Sequence, residues 1–179
     1  TSPNYNTIVL NWDAVEGTTY YQIYRKNNQT GKWIKFKTAD TNTYTVEKVK
    51  TGLEYKYRVL ANKVLEDGAV VAGKPSTTIT GVALLQGEPE LTLVPNGNTK
   101  FDLSWTPVEG ATRYIVYRKS STAAYKKVLT LKGTQTTYTT SSMVPDTYSY
   151  IIKAARYDGI ERTQTPNGSN EVTGTSVYT

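Results

Sequence analysis

The chain has 179 residues, with 21 Lys and Arg against 15 Asp and Glu (formal net charge +6), and it contains neither Cys nor His. Without Cys there is no disulfide-stapled scaffold and no thiolate metal site, and without His the commonest neutral-pH general base and metal ligand is missing. The basic residues are dispersed rather than run together, which reads as solvated sheet faces and leaves no concentrated footprint for nucleic acid.

Fifteen Tyr stand against two Phe and three Trp, a composition that suits the half-buried faces of strands. In chain order, Ile8, Leu10 and Trp12 alternate with Val9 and Asn11 and predict a strand with its core face on the even positions. The turn DAVEGTT follows, with Gly17 free to take a positive φ. YYQIYRK puts Tyr21, Ile23 and Arg25 on one face, read as inward with the Arg snorkelling out, and Tyr20, Gln22 and Tyr24 on the other. GKWIKFKT carries Trp33 three residues before Phe36, and a short strand, NTYTV, comes next. The strongest alternation is in YKYRVLA, where Tyr55, Tyr57, Val59 and Ala61 share a face. A turn around Gly68 and the segment STTITG close the half.

The same series then returns 93 positions later. Phe101, Leu103 and Trp105 lead to a turn at Gly110, and RYIVYRK aligns Tyr114, Val116 and Arg118. AYKKVLTL places Tyr125 before Val128, TTYTT follows, and Tyr148, Tyr150, Ile152 and Ala154 alternate in YSYIIKA. A turn around Gly159 and SNEVTG end the copy. At least six short strands per copy, separated by turn signals, predict a sandwich or barrel. Each copy is long enough to own a core, which argues two domains, 1–85 and 86–179, rather than a solenoid. The linker near 85–87 has no Gly/Ser-rich or Pro-rich tract, which predicts limited freedom between the halves. ELTLV reads as the first strand of the second half, with NGN turning into Lys100–Trp105. The first half has only TSPNYN in that place, so its first strand is truncated, displaced or supplied elsewhere, and an edge is exposed.

Trp12 and Trp105 after their alternating strands, the two copies of Y-x-x-YRK, and the segments VKTGLEYKYRVLA (49–61) and MVPDTYSYIIKA (143–154) resemble tandem fibronectin type III domains. The style of the Lys-rich strands resembles modules of bacterial surface proteins and secreted multidomain enzymes. The resemblance implies an all-β chain of two consecutive immunoglobulin-like sandwiches, the first strand of the first being in question. It also implies that Tyr55 and Tyr148 are tyrosine-corner residues bonded to the backbone of the preceding turn. Thr51 stands where that turn usually has Pro, and Asp146 where it usually has Gly. The expected structural core is Trp12, Tyr21, Ile23, Tyr55, Tyr57 and Val59 in one copy, and Trp105, Tyr114, Val116, Tyr148, Tyr150 and Ile152 in the other.

Catalytic chemistry finds no motif. Asp13 with Glu16, and Glu66 with Asp67, fall in turns, while Ser120, Ser121, Ser141 and Ser142 have no His to activate them. No phosphate loop or calcium loop occurs, and no cofactor or metal is expected. The loops before the closing segments lack Arg-Gly-Asp, and the acceptor-like triplets at Asn28 and Asn167 read as chance. The candidate binding face is Tyr20, Tyr24, Trp33, Lys35, Lys56 and Arg58, aromatic rings flanked by cations that suit a sugar or an acidic polymer. The second copy keeps Tyr117 and Lys153 there but has Arg113, Ile115 and Ile151. No apolar run spans a membrane, and the chain begins at Thr1 without Met or a signal-like segment, which reads as a processed product or an excised fragment. These readings converge on a non-catalytic tandem module at the cell surface or outside the cell. It spaces or presents the neighbouring domains of a larger chain and contacts protein; the alternative is an accessory carbohydrate or cell-wall polymer binding module of a secreted enzyme.

Overall fold

Alternation of apolar and polar residues becomes strand along the whole chain in a computed structural model, which describes residues 1–159 and 162–178. Ile160 and Glu161, within the loop read before the last segment, and Thr179 lie outside the described residues. The chain divides into two compact units, Thr1–Leu84 and Leu85–Thr179. Among the described residues there is no helix, so none is present to cross a membrane.

Unit 1 runs β1 (Ile8–Asn11), β2 (Tyr20–Lys26), β3 (Trp33–Ala39), β4 (Thr43–Val46), β5 (Glu54–Val64), β6 (Val70–Ala72) and β7 (Ile79–Val82). β1 pairs antiparallel with β4 alone, and the second sheet has the order β3-β2-β5, with β6 and β7 both laid against β5. Because side chains alternate across a strand, one face of each sheet supplies the core: Ile8, Leu10 and Val46 from the first, and Tyr21, Ile23, Tyr57 and Val59 from the second. Trp12, Phe36 and Tyr55 pack against this cluster while remaining partly exposed.

Unit 2 runs β8 (Leu91–Asn96), β9 (Lys100–Trp105), β10 (Arg113–Ser120), β11 (Lys126–Lys132), β12 (Thr137–Thr139), β13 (Asp146–Tyr157), β14 (Arg162–Gln164) and β15 (Val172–Ser176). Its sheets are β12-β9-β8 and β11-β10-β13, with β14 and β15 against β13. Phe101, Leu103, Trp105, Tyr114, Val116, Tyr148, Tyr150 and Ile152 are all buried. Each unit is therefore a two-sheet sandwich, and among the described residues no strand precedes β1 in the first.

The closing strand is split in both units. In unit 1 Gly73 donates to the Ala61 carbonyl and Pro75, at the next bonding position, has no N–H to give, so the pairing breaks there; in unit 2 the regular ladder stops at Thr165, which donates to the Ala154 carbonyl. A serine restores it. The Ser76 N–H donates to the Val59 carbonyl at 2.8 Å and its Oγ accepts the Val59 N–H at 3.0 Å. Ser169 does the same for Ile152, at 2.8 and 2.9 Å.

Residues 1–7 form no strand but are pinned. The Thr1 ammonium donates to the Val9 carbonyl at 2.9 Å, and the Val9 N–H donates back to the Thr1 carbonyl at 2.8 Å. Ser2 Oγ accepts the Leu84 N–H, and the Asn6 carbonyl accepts the Val49 N–H. Thr51, where a proline was the usual residue, is fully buried and donates its hydroxyl to the Tyr5 carbonyl. A proline could not make that bond.

Candidate functional site

The outer face of the β3-β2-β5 sheet carries the sequence-derived binding residues, and the register decides which of them meet. Tyr24 lies opposite Arg58 on β5 and opposite Lys35 on β3, while Lys26 lies opposite Trp33. The Arg58 guanidinium stacks over the Trp33 ring, 4.5 Å from its centroid. Tyr24, Trp33 and Arg58 join Leu60 and Pro75 around a shallow concavity of about 180 Å³. Leu60 and Pro75 were not anticipated. Leu60 sits two residues beyond Arg58 on the same face, a parity the sequence does contain, whereas Pro75 arrives from the break in the closing strand.

The other expected members stand apart from this shelf. Lys56 is tied to Glu54 in an ion pair of 3.0 Å. Tyr20 occupies the far end of β2, opposite Asn62. Nor are Tyr24 and Arg58 fully in solvent, as the alternation alone suggests; packing against Trp33 leaves both half-buried.

Unit 2 builds something else in this place. Tyr125 donates to Glu171 at 2.5 Å, and the Lys119 ammonium reaches the same carboxylate oxygen at 2.8 Å while lying 4.9 Å from the Tyr125 ring centroid. Lys119 and Tyr125 hold the Glu171 carboxyl below its usual range, and burial together with Glu171 pushes the Tyr125 hydroxyl up. Ile115, on the outer face, is buried. The shelf does not recur in unit 2, where the positions matching Tyr24, Trp33, Arg58, Leu60 and Pro75 at the 93-residue offset are Tyr117, Lys126, Ile151, Lys153 and Gly168.

Beneath the shelf, Arg25 faces the opposite way. Its guanidinium lies 4.7 Å from the Phe36 centroid, near the buried Tyr57. Burial pushes the Tyr57 hydroxyl up to about 12, with the Arg25 charge opposing. Between about 10, the value of a solvated tyrosine, and this folded value, the unfolded chain loses its proton while the folded one keeps it. The stability of unit 1 is therefore fully present below pH ~10 and falls as pH rises from about 10 towards about 12. Urea unfolding at stepped alkaline pH checks this, and Tyr57→Phe flattens the fall.

The carboxylates noted in the turns remain turn residues. Asp13, Glu16 and Glu66 are exposed, and Asp67 accepts the Ala69 N–H at 2.9 Å. Among the described residues no group of three or more Asp and Glu is placed to hold a metal ion.

The tyrosines at the bend before the long strands decide the kind of sandwich. Tyr55 Oη accepts the Lys50 N–H at 3.1 Å. Tyr148 Oη instead donates to the Val144 carbonyl at 3.1 Å, one residue nearer in sequence, which follows from the contracted turn. In both units a tyrosine anchors the bend between the sheets. Each unit has the fibronectin type III fold. The solved structure of a two-domain fibronectin type III segment from chicken tenascin superposes with a TM-score of 0.58 and 23% identity, covering 97% of this chain and 93% of that one. The FN1–FN3 domains of chicken CNTN1 match with a TM-score of 0.47 and 14% identity, covering 97% of this chain and 60% of that chain. No family model matches the sequence. What the two fibronectin type III units share is core and corner, and where they differ is the outer sheet face.

Proposed function

We propose that the chain is a non-catalytic tandem module of an extracellular or cell-surface protein, spacing or presenting the domains joined to it. The observation that carries this reading is what the repeat preserves. Trp12/Trp105, Tyr21/Tyr114, Tyr57/Tyr150 and Ser76/Ser169 recur at one offset, and all serve packing or pairing inside a unit. The candidate binding chemistry on the outer face does not recur. A segment whose duplicated content is mechanical integrity suits load-bearing spacing.

Pulling the chain between molecular handles tests it. Two unfolding events are expected, each releasing on the order of 300 Å of contour, the extended length of one unit at ~3.5 Å per residue. A single event of about twice that length, or none, defeats independent spacing units.

A second reading rests on the shelf of Tyr24, Trp33, Arg58, Leu60 and Pro75. Its apolar floor and fixed guanidinium suit an apolar side chain beside a carboxylate, which favours a protein contact. Attachment to carbohydrate or cell-wall polymer is weaker here, because Arg58 already occupies one face of the indole on which a sugar ring would stack.

A further inference from the structure

An asparagine followed by glycine leaves the next backbone nitrogen free to approach the side-chain amide, because no Cβ stands in the way. The pair occurs twice in this chain, at Asn96-Gly97 and at Asn167-Gly168. Both lie in unit 2, and both glycines are left-handed, with φ of 69° and 79°. The local backbone therefore does not separate the two sites. Their surroundings do.

At Asn167 the attacking nitrogen is occupied. Glu88 accepts the Asn167 N–H on one carboxylate oxygen and the Gly168 N–H on the other, both at 3.1 Å, and Gly168 is buried. An amide nitrogen beside a carboxylate resists losing its proton, since the anion left behind would face a like charge. At Asn96 the restraint falls on the other partner. Asn96 and Gly97 are both exposed, and among the described residues the Gly97 N–H meets no acceptor. Asn96 is held instead by its own amide nitrogen. Nδ2 donates to both oxygens of Asp102, at 3.1 and 3.0 Å, and Thr139 Oγ1 donates to the same carboxylate at 2.6 Å. The carbon to be attacked and the nitrogen that attacks it are left open.

We propose that Asn96 is a site of spontaneous covalent modification, converting to aspartate and isoaspartate, while Asn167 is shielded by Glu88. The Gly97 nitrogen gives up its proton and bonds to Asn96 Cγ. The bond from Cγ to Nδ2 breaks, and the departing nitrogen takes up the proton and leaves as ammonia. Water then opens the five-membered imide at one carbonyl or the other. One opening gives aspartate; the other gives isoaspartate, whose main chain is longer by one methylene. Either product sets a carboxylate against Asp102, where two donated bonds now stand, so like charges meet at the end of the hairpin where Asn96 lies opposite Lys100. The conversion is a timed loosening of β8, the strand that lays Leu91 opposite Trp105.

The test incubates the full chain at neutral pH and body temperature. Tryptic peptides carrying Asn96 and Asn167 are followed by the mass gained when NH is exchanged for O, and isoaspartyl methyltransferase labelling counts the isoaspartate. Asn96 is expected to convert about tenfold or more faster than Asn167, the factor set by releasing an N–H from a charged acceptor. In strong urea, where neither surrounding survives, the two rates should converge. In folded Glu88→Ala the Asn167 rate should rise by about tenfold and the Asn96 rate should stay constant. Amide protection in the converted chain should fall at Leu93 and Leu103 and hold at Ile23 and Val59. Equal rates in the folded chain overturn the proposal. So does a difference that persists in urea, which would assign it to sequence rather than to the fold.

Discussion

Trp105→Ala is expected to destabilise the second unit by about 3–5 kcal/mol, the range for deleting a large aromatic from a packed core. Trp105 is 5% exposed, meets Tyr114 edge-on at 5.5 Å between centroids, and is covered by Leu91 from the neighbouring strand. Removing it leaves a cavity bounded by both sheets, neither of which is free to close on it. Trp12→Ala should cost less, about 1–3 kcal/mol, because its indole has the same edge-on partner, Tyr21 at 5.3 Å, but is only partly buried. Among the described residues both indole N–H groups are buried without a partner, so Trp105→Phe gives back part of the loss by removing an unsatisfied donor. Native-state amide exchange separates the units: in Trp105→Ala, protection falls at Val116 and Ile152 and stays constant at Ile23 and Val59. Equal costs at the two tryptophans would show that the partial exposure of Trp12 has no energetic consequence.

That contrast also marks how far the sequence could be read. The strands were visible because period-two alternation survives wherever one face is buried, and the duplication showed which alternations mattered. The position of Trp12 and Trp105 at the ends of their strands was visible in the same way. That residues 1–7 form no strand was visible as an absence of alternation in TSPNYN. How they are pinned instead, Thr1 on Val9 and Ser2 on Leu84, depends on register across the sheet, and register is a long-range property. The binding face shows the same limit. Strand parity brought Tyr24, Trp33 and Arg58 to one side. It could not show that Arg58 would lie on the indole, that Lys56 would be held by Glu54, or that a proline seventeen residues beyond Arg58 would complete the shelf. Those follow from side chains choosing among neighbours once the sheet exists.

A second large effect is expected at a residue with no side chain. Gly81 and Gly174 lie on the closing strands, opposite Tyr55 and Tyr148. Neither has a positive φ, so backbone strain does not explain them. The facing sheet does. A Cβ on Gly174 would sit 2.5 Å from Phe101 Cε1 and 2.8 Å from Cδ1, and one on Gly81 would sit 2.6 Å from Ile8 Cγ2. Ile8 and Phe101 are themselves counterparts in the repeat, so each unit uses a missing side chain to let its two sheets approach. At an open strand position Gly→Ala stabilises by about 0.4–1 kcal/mol through the unfolded chain. Here overpacking is expected to reverse the sign and cost about 1–3 kcal/mol in Gly174→Ala. The Phe101 ring cannot swing away, being 1% exposed and edge-on to Tyr150 at 6.1 Å. Gly81→Ala should carry a similar cost, because the Ile8 Cγ2 it meets is a β-branch that cannot move without turning χ1, on a side chain that is 1% exposed. Phe101→Leu removes the ring edge that the new methyl meets, so in that background Gly174→Ala should cost about 1 kcal/mol less, a coupling readable in a double-mutant cycle by urea denaturation. Additive costs, or a net gain on Gly174→Ala alone, would mean the sheets relax apart and the glycine pair does not set their spacing.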